Sequence, residues 1–309
     1  MNHTCRAITI LIVASLALGF EAANAGAEPA GFAFLEVPAG ARASALGGAY
    51  ASWAEGVEAA FWNPAGLADV RGIQIVGSHY EFFQHLRHDQ FAVAGRLLGG
   101  GVATALRALY SEPIVERDDL GNEIGTFGGH DLEFTLAYGL DMGAGLRAGG
   151  SAQIVRERIA QSAATTYAFG AGTTWSPARV PALRLGLSAQ HLGPAAAYVI
   201  DGQKGEPVNL PAAVQAGASY GLGVTGSFHL RGSLEGRLTR GRSGVAMLGA
   251  ELAHPMGAAL RLGLRANDET GSFSLGAGYA LRSLRMDYAF VPYRLDLGDT
   301  HRMSLGLQF

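Results

Sequence analysis

The feature that most constrains the fold of this chain is an alternation of apolar and polar residues that recurs from about residue 72 to the last residue. In the clearest run, one face carries Phe273, Leu275, Ala277, Tyr279 and Leu281, and serine or glycine occupies most positions between them. A period of two is that of a β-strand, because successive side chains of a strand point to opposite faces. The sequence therefore predicts strands with one apolar face over most of its length.

About fourteen such runs follow one another, and most have a length close to the roughly 9–11 residues that a tilted strand needs to cross a bilayer. They begin near Ile73, Gln90, Val102, Leu132, Leu146, Thr166, Leu183, Ala213, Phe228, Val245, Leu260, Phe273, Leu284 and Arg302. A soluble β-sandwich or propeller, the alternative, would not need strands of this number and length. We predict an all-β fold, an antiparallel transmembrane β-barrel of about 14 strands with a small N-terminal plug segment.

The connections between the runs alternate in length. After even-numbered runs they are short, as in Leu98-Gly99-Gly100, and after odd-numbered runs several are long, as from Ser111 to His130 and from Leu192 to Leu210. Short periplasmic turns and longer outer loops are typical of outer-membrane barrels. The last run ends in Phe309, which resembles the terminal aromatic signal read by outer-membrane assembly machinery. We therefore predict the outer membrane of a Gram-negative-type cell as the location.

The N-terminus has the features of an export signal. The apolar run from Ala7 to Phe20 follows Arg6 and precedes Ala23-Asn24-Ala25, a small-residue cleavage site. It is too short for a membrane helix, which takes roughly 20 residues. We predict a signal peptide over residues 1–25, with cleavage after Ala25 or Ala27, a plug segment over residues 26–71 and a barrel over residues 72–309. The single cysteine, Cys5, lies before the apolar run, so neither lipidation nor a Cys-based metal site is expected.

The alternation also predicts which side chains face lipid and which face the lumen, because a slip of one residue would exchange the two sets. Leu185, Leu230, Leu262, Leu275, Tyr288 and Leu305 are expected to face lipid, and Arg184, Arg231, Arg261, Ser274, Asp287 and Ser304 to face inward. The predicted lumen-facing charges are Arg184, Arg231, Glu235, Arg261, Arg265, Arg285, Asp287 and Arg302. They are interpreted either as ladders of paired charges that fill the barrel and bind the plug segment, or as an anion-selective path. The formal net charge of -3 gives no reason to expect nucleic acid as a partner.

The plug segment combines small residues with one distinctive motif. A short helix is expected between Ala49 and Ala60, and a turn at Asn63-Pro64, because a proline disfavours the α conformation in the residue before it. We interpret Phe61, Trp62, Asn63, Pro64 and Gly66 as a hinge, in which Asn63-Pro64 makes the turn and the two aromatic residues anchor the segment to the barrel.

Three stretches together, Gly40-Ala41-Arg42-Ala43, Gly47-Gly48-Ala49 and Phe61-Trp62-Asn63-Pro64-Ala65-Gly66-Leu67, resemble the N-terminal signature of the PorV/PorQ family of outer-membrane proteins. That family looks related to FadL-type transporters, which carry a similar N-P-A-G stretch. The resemblance implies a fourteen-stranded barrel with an N-terminal segment folded into or under the lumen.

The resemblance implies two different functions. PorV-like members act in type IX secretion, where they receive exported proteins and pass them to attachment machinery, whereas FadL-like members carry hydrophobic molecules across the outer membrane. The compact size favours a non-enzymatic secretion component that docks exported proteins or partner subunits. The alternative is a FadL-like channel for a hydrophobic ligand. Outer-membrane lipid is an expected partner in either case, and no cofactor is expected.

Two other groups of residues resemble functional sites, a hydrolase nucleophile and a metal site. We interpret both as structural. Gly217-Ala218-Ser219-Tyr220-Gly221 matches the nucleophile elbow of hydrolases, yet it ends an alternating strand rather than forming a strand-to-helix turn. His79, His85 and His88 surround the first outer loop, and an exposed loop is a poor cage for a metal ion. We interpret the histidines as solvated residues at the edge of an aromatic girdle. No catalytic residue and no metal site is predicted.

Overall fold

The computed structural model describes residues 30–82, 86–200, 202–223, 227–294 and 298–309. The predicted signal peptide lies outside these residues. No helix within them is both long enough and apolar enough to cross a membrane.

Antiparallel strands make up most of the described chain. The strands are β1 (Gln74–Glu81), β2 (Leu86–Leu97), β3 (Gly100–Ser111), β4 (Ile114–Arg117), β5 (Glu123–Phe127), β6 (Gly129–Gly143), β7 (Leu146–Ile159), β8 (Ser162–Trp175), β9 (Leu183–Leu192), β10 (Ala196–Ile200), β11 (Gln203–Val208), β12 (Ala213–Gly223), β13 (His229–Thr239), β14 (Val245–Ala253), β15 (Ala258–Ala266), β16 (Phe273–Leu281), β17 (Leu284–Pro292) and β18 (Asp299–Gln308). All of them except β4, β5, β10 and β11 form a closed barrel of 14 strands, as predicted. The barrel closes where β1 pairs with β18, from Gln74 opposite Gln308 to Glu81 opposite His301.

Two hairpins lie in connections that the sequence analysis treated as loops. β4 and β5 form a separate two-stranded sheet. β10 and β11 extend the barrel sheet, because Val199 of β10 pairs with Ala163 near the start of β8. The register of β8 and β9 shifts between Phe169 and Ala171, and His191 near the end of β9 has a φ of 55°. Between this irregularity and the start of β8, the neighbour of β8 in the wall is therefore β10 instead of β9.

The outer face of the barrel is apolar and exposed. Leu262, Leu275 and Leu305 are 39%, 45% and 50% exposed, whereas Ser274 and Ser304 between them are buried. This alternation has the phase predicted from the sequence. An exposed apolar band around a closed barrel is the surface that a bilayer covers.

The plug segment fills the inside of the barrel. Its short helices are Ala33–Glu36, Ala41–Ala45, Gly56–Glu58, Ala59–Trp62 and Pro64–Asp69. Ala41, Tyr50, Trp53 and Leu67 have no exposed surface. The helix expected between Ala49 and Ala60 is shorter than predicted, because Gly56 with a φ of 63° begins a new helical turn there. The core of this protein is therefore the contact surface between the plug segment and the lumen wall.

The plug segment and the lumen wall

The path of the plug segment runs from one end of the barrel to the other. Gly31 donates its backbone N–H to the carbonyl of Asn209, in the long connection between β9 and β12 that contains the β10–β11 hairpin. At the opposite end, the backbones of Ile73 and Phe309 are hydrogen-bonded in both directions, beside the short turns. We call the end with the long connections the outer end and the other the periplasmic end, following the loop pattern of outer-membrane barrels. The segment thus passes through the whole lumen.

An apolar cluster holds the plug segment at the outer end. Phe32, Phe34 and Leu35 pack against wall residues that include Val155 and Leu210. The Phe32 ring stacks on Tyr198 of β10 with centroids 6.2 Å apart. Tyr198 donates a 2.7 Å hydrogen bond to Glu157. Burial and this hydrogen bond raise the pKa of Tyr198, so the tyrosine remains a neutral donor.

A network of buried charges holds the middle of the segment. Arg42 forms hydrogen bonds of 3.1 and 3.0 Å with the two carboxylate oxygens of Glu251, and a third of 2.8 Å with Glu55. Arg261 bonds the same Glu251 at 2.6 Å and reaches Asp287 at 2.8 Å, and Arg285 lies 2.7 Å from Asp287. Bidentate arginine–carboxylate pairs fix geometry as well as charge. The network therefore ties the segment to β14, β15 and β17 in one orientation.

Glu235 of β13 binds the backbone of the segment directly. Its carboxylate accepts the backbone N–H groups of Ala51 and Ser52 at 2.8 Å each, and the Ser52 hydroxyl at 2.6 Å. Gln215 of β12 donates to the same carboxylate and also to the Gly48 carbonyl. Four donors thus converge on one buried acid. Such an acid compensates for the polar groups that the segment would otherwise leave unpaired in the lumen.

Asn63 connects the segment to two strands at once. Its side-chain amide donates to the carbonyls of Ala51, Thr173 and Leu187 at 2.9, 3.2 and 3.3 Å. Its oxygen accepts the N–H of Ala65 and so caps the helix that begins at Pro64. Asn63 is fully buried and has an extended conformation, with a φ of -155°. The residue therefore makes the turn and also binds β8 and β9.

The aromatic residues of the motif act mainly within the segment. The Trp62 indole donates to the Ala39 carbonyl at 2.9 Å, and its ring meets Tyr50 edge to face. The ring of Phe61 lies 5.6 Å below the guanidinium of Arg107. Gln190 of β9 donates to the carbonyls of Phe61 and Trp62. The contact with the wall is thus made by the backbone of these residues and by the Phe61 ring, while Trp62 folds the segment on itself.

Glycines in the wall let the plug segment approach closely, because they have no Cβ. A Cβ built on Gly186 would overlap Ser52, and one on Gly263 would overlap Gly47 and Leu46. Eight strands supply such glycines, namely Gly101, Gly139, Gly149, Gly172, Gly186, Gly249, Gly263 and Gly276. We call these eight residues the glycine belt. In the sequence pattern glycines share the polar faces of the strands with serines, and the structure shows that these eight make room for the plug segment.

The remaining predicted lumen charges lie at several heights. Arg184 lies 2.6 Å from Asp69 at the periplasmic end, and Arg231 lies over the Trp53 ring at 4.4 Å. Arg265 pairs with Asp268 at 3.1 Å near the outer end. Arg302 donates to the hydroxyls of Ser44 and Tyr293 at 2.8 and 2.9 Å. Each of these arginines thus has a partner, and Arg184, Arg231 and Arg302 contact the segment itself.

Several of the strongest contacts were missed by the sequence analysis. Arg42, Glu55 and Glu251 form the centre of the charge network, and Gln215 and Gln190 bind the segment backbone. Arg42 carried a detectable signal, because it is the one charged residue between Val37 and Ala54. An isolated charge in an apolar tract that packs in a core requires a partner. The glutamines carried no such signal.

The nucleophile-elbow match has no catalytic geometry. Ser219 lies within β12, opposite Arg184 and Ser233, and is 1% exposed. Its hydroxyl has no hydrogen-bond partner among the residues that the structure describes. Since activation of a serine requires a base within hydrogen-bond reach, the motif does not form a hydrolase site in this arrangement.

The histidines of the first outer loop point in different directions. His79 is on the outer face and lies 2.6 Å from Asp89. His88 is completely buried and packs against Tyr80 with ring centroids 5.3 Å apart, so its interpretation as a solvated residue is wrong. It occupies an inward position of β2, as the alternation in that strand requires. His85 lies outside the described residues, and no cluster of metal ligands occurs within them.

A groove of about 710 Å³ lies on the outer face of the wall, across β1, β2 and β16 to β18. Its apolar lining includes Ala277, Met286, Met303 and Leu305, and Met303 is 61% exposed. Gly77 in its floor has no atom within 4 Å of where a Cβ would lie. The groove is an apolar surface that faces lipid.

Two substitutions of Asn63 distinguish its role as a helix cap from its role as a hydrogen-bond donor to three carbonyls. We expect Asn63→Asp to destabilise the protein at least as much as Asn63→Ala, because aspartate keeps the capping oxygen but loses the amide that donates to three carbonyls. Loss of a cap alone costs about 1 kcal/mol. The measurement is the free energy of unfolding in urea after folding into lipid vesicles. Wild-type stability of Asn63→Asp would show that only the cap matters.

The glycine belt predicts that a glycine-to-alanine substitution lowers the free energy of unfolding much more inside the belt than on the outer face. We expect Gly263→Ala to lower the free energy of unfolding by about 1–3 kcal/mol, because its methyl group overlaps the backbone of the plug segment. Gly77→Ala, in the outer face, has open space and is the matched control. Denaturant titration of both variants checks this expectation. Equal stabilities would mean that the segment does not approach the wall as closely as described.

No protein-family model and no curated protein sequence matches the chain. Several solved structures have a similar fold. The monoaromatic hydrocarbon channel CymD matches with a TM-score of 0.61 and 14% identity over 87% of this chain and 97% of its own. The toluene transporter TodX of Pseudomonas putida matches at 0.60 and 11%, over 86% and 96% of the two chains.

Two further matches have the same architecture. The toluene transporter TbuX of Ralstonia pickettii matches at a TM-score of 0.57 with 14% identity, over 87% of this chain and 98% of its own. A FadL homologue of Pseudomonas aeruginosa matches at 0.52 with 12% identity, over 87% and 97%. None of these four is described as a PorV/PorQ protein, so that resemblance stays a prediction. The chain therefore has the fold of FadL-like outer-membrane barrels.

Proposed function

We propose that the chain is a non-enzymatic outer-membrane channel for small hydrophobic molecules. The observation that carries the proposal is the agreement in fold with CymD, TodX and TbuX over nearly the whole length of those channels. This favours the FadL-like alternative of the sequence analysis over the secretion component.

Apolar surfaces at the outer end and on the wall support this proposal. The cluster around Phe32, Phe34 and Leu35 lies at the outer end of the lumen, with Leu109 and Tyr198 partly exposed beside it. The groove with Met286 and Met303 offers apolar surface on the side that faces lipid. A hydrophobic molecule can adsorb to the groove and to the partly exposed Leu109 and Tyr198, because its own apolar surface is then removed from water.

The middle of the lumen is filled, and this restricts how a molecule could pass through the barrel. It is occupied by the plug segment and by the charge network of Arg42, Glu251 and Arg261. Passage therefore requires a local movement of the plug segment. The anion-path interpretation of the lumen arginines is disfavoured by the same contacts, because most of those arginines are paired with carboxylates.

Uptake in whole cells tests the proposal. The chain is produced in a host that lacks its own channels of this type, and uptake of radiolabelled toluene is compared with that of a small sugar. We expect faster toluene uptake than in cells with an empty vector, with sugar uptake unchanged. The proposal is abandoned if toluene uptake is the same with and without the protein although the protein is present in the outer membrane.

A docking role in protein secretion is the second candidate. It is favoured by the β4–β5 hairpin, where Ile114, Val115, Leu120 and Ile124 are 43%, 45%, 87% and 60% exposed. Exposed apolar residues on an outer loop suit contact with another protein. The partners would be exported proteins or secretion subunits. Purification from native membranes under mild conditions tests this, and the absence of any such partner would count against the docking role.

A further inference from the structure

We propose that the groove on the outer face of the wall holds one resident lipid of the outer leaflet. Its acyl chain lies along the groove, and its head end carries a hydrogen-bond donor, a hydroxyl or an amide N–H. The lipid stays on the protein, so the inference goes beyond the transport of small hydrophobic molecules. It rests on the shape of the groove, on the polar side chains at one of its ends and on its continuity with the lipid-facing surface.

The groove is elongated, because it follows rows of paired residues across β2, β1, β18, β17 and β16. One row of outward-facing residues consists of His79, Met303, Tyr288 and Ala277. A second row beside it begins at Gly77 and ends at Tyr279. Neighbouring strands lie about 4.8 Å apart, so the distance from β2 to β16 is about 19 Å. A volume of about 710 Å³ spread over such a length fits a rod-shaped molecule such as an acyl chain.

Small and flexible residues shape the groove. Gly77 has no atom within 4 Å of where a Cβ would lie, and Ala277 is exposed. Met286 and Met303 are 47% and 61% exposed, and methionine side chains adapt to the shape of what they contact. The groove is continuous with the exposed apolar band of the barrel, which includes Leu305 in its lining. Since a bilayer covers this band, a lipid is the molecule that the groove meets.

The groove slopes across the membrane. Ala277 lies four residues from the periplasmic end of β16 at Leu281, whereas Asp89 lies eight residues from the periplasmic end of β2 at Leu97. Because each residue of a strand adds about 3.3 Å, the end of the groove at β2 is closer to the outer surface. A molecule in the groove therefore has one end near the outer surface and the other deeper in the bilayer. This is the orientation of a lipid of the outer leaflet.

The end closer to the outer surface is polar. Nδ1 of His79 lies 2.6 Å from one carboxylate oxygen of Asp89, and Tyr110 donates a 2.7 Å hydrogen bond to the other. Because a carboxylate only accepts hydrogen bonds, Nδ1 carries the proton, and Nε2 of the neutral ring is an acceptor. Nε2 lies 3.9 Å from Glu81, which is beyond hydrogen-bond distance. A lipid satisfies Nε2 if a hydroxyl or an amide N–H lies beside its headgroup.

A second copy of the chain is a poorer occupant. In a dimer with a two-fold axis through the groove, the same surface of both copies meets, so groove would face groove. The two volumes would then add, and neither Gly77 nor Ala277 has a side chain long enough to fill the space. A thin and flexible acyl chain fills a groove of this shape without that void.

Titration of the detergent-purified protein with two phosphatidylcholines, followed by native mass spectrometry, tests the proposal. The lipids differ only in a hydroxyl group on the third carbon of each acyl chain, and phosphatidylcholine has no other hydrogen-bond donor. We expect the wild type to bind the hydroxylated lipid roughly two- to tenfold more tightly, the effect of one hydrogen bond. We expect Gly77→Leu to weaken the binding of both lipids about tenfold, because leucine occupies the groove. His79→Phe should bind the two lipids equally.

Ala171→Leu, at an exposed position on the outer face of β8, is the matched control and should bind both lipids as the wild type does. Ala277→Leu repeats the test at the other end of the groove if Gly77→Leu does not fold. Equal binding of both lipids by the wild type, or unchanged binding by the groove variants, overturns the proposal. A dimer that is lost in Gly77→Leu would assign the groove to a second copy, and release of the lipid by saturating toluene would assign it to the transported molecule. Either result overturns the proposal as well.

Discussion

Replacing Glu235 with alanine is expected to open the lumen. The change leaves the N–H groups of Ala51 and Ser52 without their acceptor inside the barrel, together with the Ser52 hydroxyl and the Gln215 amide. Each buried polar group that loses its partner costs about 1–3 kcal/mol. The sum is large enough to favour release of the middle of the plug segment. Conductance in planar lipid bilayers measures this, and we expect frequent open events where the wild type is closed.

Two variants control for this experiment. Glu235→Gln keeps one oxygen as an acceptor and is expected to open less often than Glu235→Ala. Glu206→Ala removes an exposed acid from β11 and is expected to behave as the wild type. If Glu235→Ala stays closed, the segment is held by its other contacts and Glu235 is not decisive.

Replacing Arg42 with methionine is expected to give the largest loss of stability among charge substitutions. Arg42 is 6% exposed and bonds both Glu251 and Glu55, and breaking a buried ion pair costs roughly 3–5 kcal/mol because a charge is left unpaired. The free energy of unfolding in lipid vesicles is the measurement. A second readout is the reactivity of a cysteine at Ser52, which should rise as the segment loosens.

Arg242→Met is the matched control, because Arg242 pairs with Glu36 on the surface and such pairs contribute about 0–1 kcal/mol. The double variant Arg42→Met/Glu55→Gln should recover part of the loss, since Glu251 keeps its pair with Arg261 and the second carboxylate that Arg42 leaves is then neutral. Equal effects of Arg42→Met and Arg242→Met would show that water reaches the network and screens it.

The barrel could be predicted from the sequence because every strand repeats one simple rule. Apolar side chains at every second position mark the lipid face in runs such as Phe273–Leu281, and the count of runs gave the number of strands. The outer hairpins were missed for a physical reason. β11 reads Gln-Lys-Gly-Glu-Pro-Val, with no apolar face to bury, and is held by pairing with β10 alone.

The contacts of the plug segment could be predicted only in part. The list of inward charges came from the alternation, but which of them meet depends on how far the segment descends, and no local pattern encodes this depth. Arg42 and Glu251 are 209 positions apart in the chain. The same holds for the wall glycines, since a glycine that contacts a backbone and one that faces open space look identical in sequence.

The glycine belt also limits how the protein can open. At the eight positions of the glycine belt the wall has no side chains to narrow the opening if the plug segment withdraws completely. The result would be a wide hole with bare backbone at its waist, permeable to water-soluble compounds of many kinds. Selective transport is therefore compatible with small displacements of part of the segment and not with its complete ejection.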